Sequence, residues 1–301
     1  ARAERAGVPT SNTSIGTSNN LTASMMFGGT DIVYGNRPWG SERFLNDWGE
    51  NVIGSSSQTY FTRTWNWLYR MINGANTIIN RAESQGTDLG INEGSLRRII
   101  GEARTIRAWC YRHLTFLFGD VPLNLDESLG ENVRLDWDRT SVSQIREKMK
   151  EDLEYAAQYL PENHSGNGKI VRAVAQHYLT ELLIIEQDYN TAITTALADI
   201  NGPKSLINFR YGVNASNNGT PYTDMFLDGN SNPSEGNNEA LWVFQHAFEV
   251  EGGEGHNIMR RWLTSEYSSS SGGAKGLEVT VARGGRGNTR LSATKFMLDL
   301  Y

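Results

Sequence analysis

Cysteine is almost absent from this sequence, and the single thiol, Cys110, has no partner for an internal disulfide. Nothing staples the fold covalently, so the chain must hold itself together through an apolar core. Cys110 lies inside an apolar helical pattern, which marks it as a buried packing thiol and not a nucleophile. Positive charge is also scarce. Against 34 Asp and Glu there are only 28 Lys and Arg, a formal net charge of −6. The basic clusters Arg97-Arg98 and Arg260-Arg261 are pairs and not tracts. No basic stripe is available to displace counterions, which argues against nucleic acid as a partner. No apolar run reaches the roughly 18 residues that a membrane-spanning helix needs. The first residues, Ala1-Arg2-Ala3-Glu4-Arg5, carry no apolar signal segment, so export is neither shown nor excluded.

Catalytic and metal signatures are missing as well. There is no His-Glu-x-x-His, no Gly-x-Ser-x-Gly and no cysteine pair for zinc. The five histidines, at 113, 164, 177, 246 and 256, have no ligand spacing, and neither a metal nor a cofactor is expected. Gly168-Lys169 is followed by Ile170, so a phosphate loop would lack its metal-binding hydroxyl. Carboxylates are plentiful, and a glycosidase needs only two of them. A glycan-cleaving enzyme on a helical scaffold therefore stays open as an alternative, although no enzyme is expected.

What the sequence does have is helical periodicity, flanked by loops rich in Gly, Asn, Ser and aromatic residues. Trp65, Leu68, Ile72, Ala75 and Ile79 step by 3 and 4 along one helical face. Leu96, Ile99, Ala103, Ile106, Cys110, Leu114 and Leu117 continue the pattern, with Ser95 placed to cap that helix and Gly119 to end it. Ser141-Val142-Ser143-Gln144 fits a capping box before a third stripe that Pro161 stops. A fourth helix is expected from about Ile170 to Glu186 and a fifth from Tyr189 to Ile200, terminated by Gly202-Pro203. Arg104 and Arg107, at i and i+3, are expected to form structural ion pairs with Asp120 or Glu102.

Leu179, Asp188-Tyr189, Ala192, Ala196 and Pro203 give the last two helices a tetratricopeptide-like signature, with Thr180 where glycine is usual. Residues 211–240 read as loop, Ala240–Gln245 as a short buried strand or extended segment, and a helical pattern restarts at Ser292. The fold class is mainly α. It combines a tetratricopeptide-like helical repeat scaffold, over 58–203, with a large irregular loop-rich region over 1–57 and 204–301 and a few short strands.

One stretch of wording is specific. Gly101-Glu102-Ala103-Arg104, then Arg107-Ala108-Trp109-Cys110-Tyr111, Leu114 and Phe118-Gly119-Asp120-Val121-Pro122-Leu123, resembles the hallmark segment of the SusD/RagB-like nutrient-binding proteins. Trp67 to Asn76, Asp152-Leu153 to Leu160-Pro161, Gly168-Lys169-Ile170 with Arg172-Ala173, Gln187-Asp188-Tyr189 and Asn238 to Gln245 line up with it in order. The resemblance covers about residues 60–301. It implies a single SusD-like domain over 1–301, incomplete at both ends. It also implies a lipid-anchored protein on the outer face of the outer membrane, with the anchor outside this chain. Such a protein is non-catalytic, captures a glycan or in some members a peptide, and passes it to a TonB-dependent, SusC-like transporter. In that family the ligand meets an aromatic arc and a few polar groups in the irregular part, because flat rings pack the C–H faces of a sugar while amides and charges bond its hydroxyls. By position, Asp31, Tyr34, Arg37, Trp39, Trp48, Asn51, Trp262 and Tyr267 are the expected ligand-binding residues. A pure interaction adaptor, binding in the concave helical groove, is the third reading.

Overall fold

In a computed structural model the structure describes residues 30–35, 55–130, 134–164, 166–245 and 291–300. The chain divides into two compact units, Leu68–Gln245, and Ala1–Trp67 together with His246–Tyr301. Five helices dominate the described residues: α1 (Ser55–Gln85), α2 (Glu93–Phe118), α3 (Val142–Tyr159), α4 (Arg172–Ile185) and α5 (Tyr189–Ile200). None of the described helices is long and apolar enough to cross a membrane. Within the larger unit the portion of α1 from Leu68 onward packs on α2 through Ala75, Ile79 and Ala103. Further along, α2 packs on α3, α3 on α4, and α4 on α5.

The periodic faces are the buried ones. Leu68, Ile72, Ala75 and Ile79 are all core. Helix α2 is buried on more than the expected stripe: Ile100, Ala108 and Tyr111 join Ala103, Cys110 and Leu114 inside, while Leu96, Ile99, Ile106 and Leu117 are half-covered. Neighbours on two sides account for this, because Gly101 lets α2 approach α3 so closely that an added Cβ would lie 3.1 Å from Leu160.

The ends of the helices follow hydrogen-bond supply. Asn92, not Ser95, caps α2, its side chain accepting the Ser95 N–H at 2.9 Å. Asparagine places its carbonyl over the first turn as readily as serine, and Ser95 lies inside the helix. Gly119 ends α2 at φ 69°. Ser141 caps α3 and Leu160-Pro161 ends it, as the pattern requires. Gln144 does not complete a box, because its side-chain oxygen accepts from the Ser141 hydroxyl instead. Asp188 caps α5, whose range coincides with the expected one.

A buried network ties the layers together. Arg107 donates from Nε and Nη2 to the two carboxylate oxygens of Asp152, both at 2.8 Å, and from Nη1 to Asn76 Oδ1 at 2.9 Å. The pair is 3% and 1% exposed. Asn76 in turn donates to the carbonyls of Asn124 and Asp126, and Tyr111 to that of Asn124. Tyr69 holds Pro122, and Asn73 exchanges two bonds with Ser128. The 120–128 strap is thereby pinned across α1 and α2. The local partners expected for the two arginines are corrected here. Arg104 pairs with Glu83 and stacks on Tyr155, Glu102 is held by Arg98, and Asp120 accepts the Val142 N–H at the start of α3.

Beyond α5 the chain is irregular but well bonded. Arg210 grips Asp224, the last residue of α6 (Pro221–Asp224), Nε to Oδ2 at 2.6 Å. The Asn230 side chain donates to Tyr211 and Asp224 carbonyls and accepts from Val213. Gly212, at φ +73°, is required there, since a Cβ would stand 1.9 Å from Asn230 Oδ1. The outer side of α5 stays apolar and open, with Tyr189, Ile193, Leu197 and Ile200 exposed.

Two outcomes follow. Arg107→Met strands a buried carboxylate and should cost about 3–5 kcal/mol in urea unfolding, whereas adding Asp152→Leu should recover much of it. His113 is buried with neither ring nitrogen bonded, and burial, aided by the Arg112 charge, lowers its pKa to about 3. The unfolded chain therefore binds more protons between the ordinary pKa near 6.5 and about 3. Stability should be full above pH 6.5 and fall as the pH drops through that window, by up to roughly 4 kcal/mol. His113→Leu should flatten the loss, read as urea midpoints at pH 7.5 and 4.5.

Candidate functional site

Of the expected ligand-binding residues only Asp31 and Tyr34 are described, Tyr34 on a small antiparallel ribbon and Asp31 just before it. β1 (Val33–Gly35) pairs with β2 (Leu291–Ala293), which leads into α7 (Lys295–Asp299). The segment expected to be helical from Ser292 is thus strand first and helix from Lys295. Thr294 caps α7 through its side chain and also donates from its N–H to Ile32 O at 3.0 Å and from its hydroxyl to Asp31 O. Asp31 has its carboxylate exposed beside β1, and Tyr34, opposite Ser292, is 40% exposed. The ribbon therefore joins residues more than 250 positions apart, one from each irregular region. Arg37, Trp39, Trp48, Asn51, Trp262 and Tyr267 lie outside the described residues.

The larger unit contains a cleft that the expected residues do not include. It is a shallow, open cleft, walled by Asn163, His164 and the 166–169 turn, by Lys204 after α5, by Pro233, and by Leu241 and Val243. The extended Asn238–Gln245 segment is not a laddered strand. It is held by side chains: Asn238 donates to Pro203 O, Lys204 Nζ to Ala240 O at 2.9 Å, and Glu239 accepts from Ile207 N. Extended backbone alternates its faces. Leu241 and Val243 line the cleft, while Trp242 packs against the cluster around Ala156 and Ala175, with Phe244 tilted against it at 4.5 Å between ring centres. Phe244 is exposed. The turn is closed across the gap by Ser234, which donates to Asn167 at 2.8 Å, and by Gln245, which lies over Gly168.

Electrostatically the cleft runs against the rest of the chain. Among the described residues no Asp or Glu lines it. Burial lowers the Lys204 pKa, offset in part by the Asp199 charge. The periodic pattern gave no hint of this site. Its signals were the glycine-rich Gly166-Asn167-Gly168-Lys169 turn, weighed only as a phosphate loop, and the alternation in Leu241-Trp242-Val243-Phe244.

A second depression lies in the groove across α2, α3 and α4, between Arg112, Phe116, Arg146, Tyr178 and Glu181. Its charges are already paired, Arg112 with Glu181 and Arg146 with Glu186. Among the described residues no group of three or more His, Cys, Asp or Glu could hold a metal.

Comparison with known proteins finds likenesses in both sequence and fold. Residues 30–174 match the SusD-like family described as starch-binding and associating with the outer membrane. SusD-like protein P25 of Formosa agariphila is 28% identical over 233 residues, covering 74% of this chain and 40% of the relative. A laminarin-binding SusD-like protein superposes with a TM-score of 0.65 at 16% identity, over 94% of this chain and 59% of its own. A structure with a xylogluco-oligosaccharide superposes at 0.61 and 19%, over 84% and 48%. The chain spans less than half the length of the curated relative it matches, and the structural likenesses establish a shared fold.

The turn gives the test. Gly168 has φ +73°, and a Cβ would meet Gln245 Cγ at 2.8 Å. Gly168→Ala should destabilise the chain by about 1–2 kcal/mol in thermal or urea unfolding, with Gly166→Ala, which has ordinary backbone geometry, costing less.

Proposed function

We propose, from the premise that this chain belongs to the SusD-like family, that it is a non-catalytic glycan-binding protein of the cell surface. It captures oligosaccharides or polysaccharides and passes them to a TonB-dependent, SusC-like transporter in the outer membrane, to which it is held through a lipid anchor outside these 301 residues. The support is the family match over the hallmark helix and strap, together with two fold relatives whose names record glycans. Outer-membrane association is part of the family's own description. In this reading the 301 residues belong to a single SusD-like domain.

The ligand would be held by Asp31, Tyr34, Arg37, Trp39, Trp48, Asn51, Trp262 and Tyr267. The observation that supports this choice is the β1–β2 ribbon, which pairs 33–35 with 291–293 and so joins a segment near Asp31 and Tyr34 to one from the far end of the chain. Aromatic faces contribute apolar contact to the sugar ring, and Asp, Asn and Arg exchange hydrogen bonds with hydroxyls that water would otherwise satisfy. Because those polar exchanges nearly balance, affinity should be modest.

Isothermal titration against a panel of neutral and acidic oligosaccharides tests the reading. At least one glycan should bind without being cleaved. Trp39→Ala, Trp48→Ala or Trp262→Ala should each weaken it about tenfold, equivalent to ~1.4 kcal/mol, with the melting temperature unchanged. Binding of peptides and of no glycan would move the chain to the peptide-binding branch. Product formation abolished by one Asp or Glu change would make it a glycan-cleaving enzyme.

A further inference from the structure

Three side chains with nitrogen donors, His164, Lys169 and Lys204, line the cleft of the larger unit with their hydrogen-bonding capacity largely unspent among the described residues. His164 accepts the Gly166 N–H on Nδ1 at 2.8 Å, which puts its own proton on Nε2. Among the described residues that N–H has no acceptor. Lys204 carries three ammonium protons and gives one to Ala240 O. No carboxylate of the described residues lies within 4 Å of it. Lys169 makes no hydrogen bond among the described residues, and its nearest carboxylate, Glu102 at 4.0 Å, is already held by Arg98. The side-chain amides of Asn163 and Asn167 complete the polar rim, and Leu241 with Val243 forms an apolar wall.

The sign of the charge decides what this can hold. The chain as a whole is at −6, yet among the described residues the cleft's lining includes two lysines and no acid. Each ammonium has a carboxylate nearby without a hydrogen bond to it among the described residues, Glu102 at 4.0 Å from Lys169 and Asp199 beside Lys204, so a bound anion would add attraction that these neighbours do not exhaust. Partial burial strengthens the attraction, because less water screens it. A donor-rich rim beside an apolar wall is also what a sugar ring bearing an acidic substituent presents in reverse. A purely neutral sugar would use the hydroxyl-bonding capacity and draw nothing from the two ammonium charges.

We infer that this cleft is a subsite for the anionic group of an acidic glycan, a uronic-acid carboxylate or a sulfate ester, gripped by Lys169, Lys204 and the His164 Nε2–H. This rests on the glycan-binding reading and names its substrate class. The subsite is separate in sequence from the ribbon that frames the expected ligand residues, and it lies wholly within Leu68–Gln245.

The experiment is calorimetric titration with matched oligosaccharides of equal length: neutral, uronate-bearing and sulfated. It uses the intact chain and the variants Lys169→Met, Lys204→Met, their double, and Lys204→Arg. The expected result is at least tenfold tighter binding of an acidic series than the neutral one, with a preference that weakens as salt rises. Preference for the uronate alone, the sulfate alone, or both supports the inference and identifies the anion. The double variant should bring acidic affinity down to the neutral value, Lys204→Arg should keep most of it, and circular dichroism should confirm that each variant is folded. Equal affinity for neutral and acidic glycans, or an acidic preference indifferent to both lysines, overturns the subsite and leaves the glycan-binding function standing. Failure of every glycan to bind overturns the function itself.

Discussion

The helical unit is organised around one buried guanidinium. Arg107 and Asp152 lie 45 positions apart, on α2 and α3, and Asn76 reaches the same guanidinium from α1. Taking both charges out of water costs several kcal/mol per ion, and their attraction returns that cost only in good geometry. Here the geometry is bidentate, and Asn76 takes a further guanidinium proton. The network thus adds little net stability compared with apolar packing, but it penalises every other register of the three helices heavily. A one-turn slip of α2 would move Arg107 about 5.4 Å and leave Asp152 buried and alone. The second consequence is the strap. Once Asn76 and Tyr111 are fixed, the carbonyls of Asn124 and Asp126 have their donors, and an otherwise irregular segment becomes part of the frame.

This explains why the family-like wording concentrates where it does. Gly101, Arg107, Tyr111 and Pro122 look unrelated as letters. In the structure Gly101 sets the closeness of α2 to α3, Arg107 the register of three helices, and Tyr111 with Pro122 the path of the strap. Each requirement is geometric and tolerates few substitutes, whereas neighbouring apolar positions only need volume.

Legibility in the sequence followed the range of the interaction. Helix existence and the range of α5 were readable because periodicity, caps and proline stops act within a few residues. The partners of Arg104 and Arg107 were not, because spacing along one helix nominates Glu102 while the true partners sit on other helices. Ser95 lost to Asn92 because two adequate caps stood three residues apart, and only the backbone decides between them. The strand at Leu291–Ala293 was invisible for a related reason. Three residues carry no usable alternation, and their pairing partner lies at the other end of the chain. Of the expected site residues, the ribbon brings Asp31 and Tyr34 onto one frame. The lysine cleft was missed because its members come from three separate segments, and no local pattern sums their charge.

The two depressions of the larger unit differ in how much of their polar capacity is already used. In the groove across α2, α3 and α4, Arg112 is bonded to Glu181 and flanked by the Phe116 and Tyr178 rings, and Arg146 is bonded to Glu186. A ligand entering there would have to replace interactions already made, and its net gain would be small. In the cleft beside Gly166–Lys169 the donors are largely unspent, and the backbone that presents them is fixed by Ser234–Asn167, Lys204–Ala240 and Gln245–Asn232 bonds. Unspent donors on a fixed frame are what binding can use, since little ordering remains to be done when the ligand arrives. The adaptor reading needs the first depression to be the receptive one, and the distribution of satisfied and unsatisfied charge points to the second.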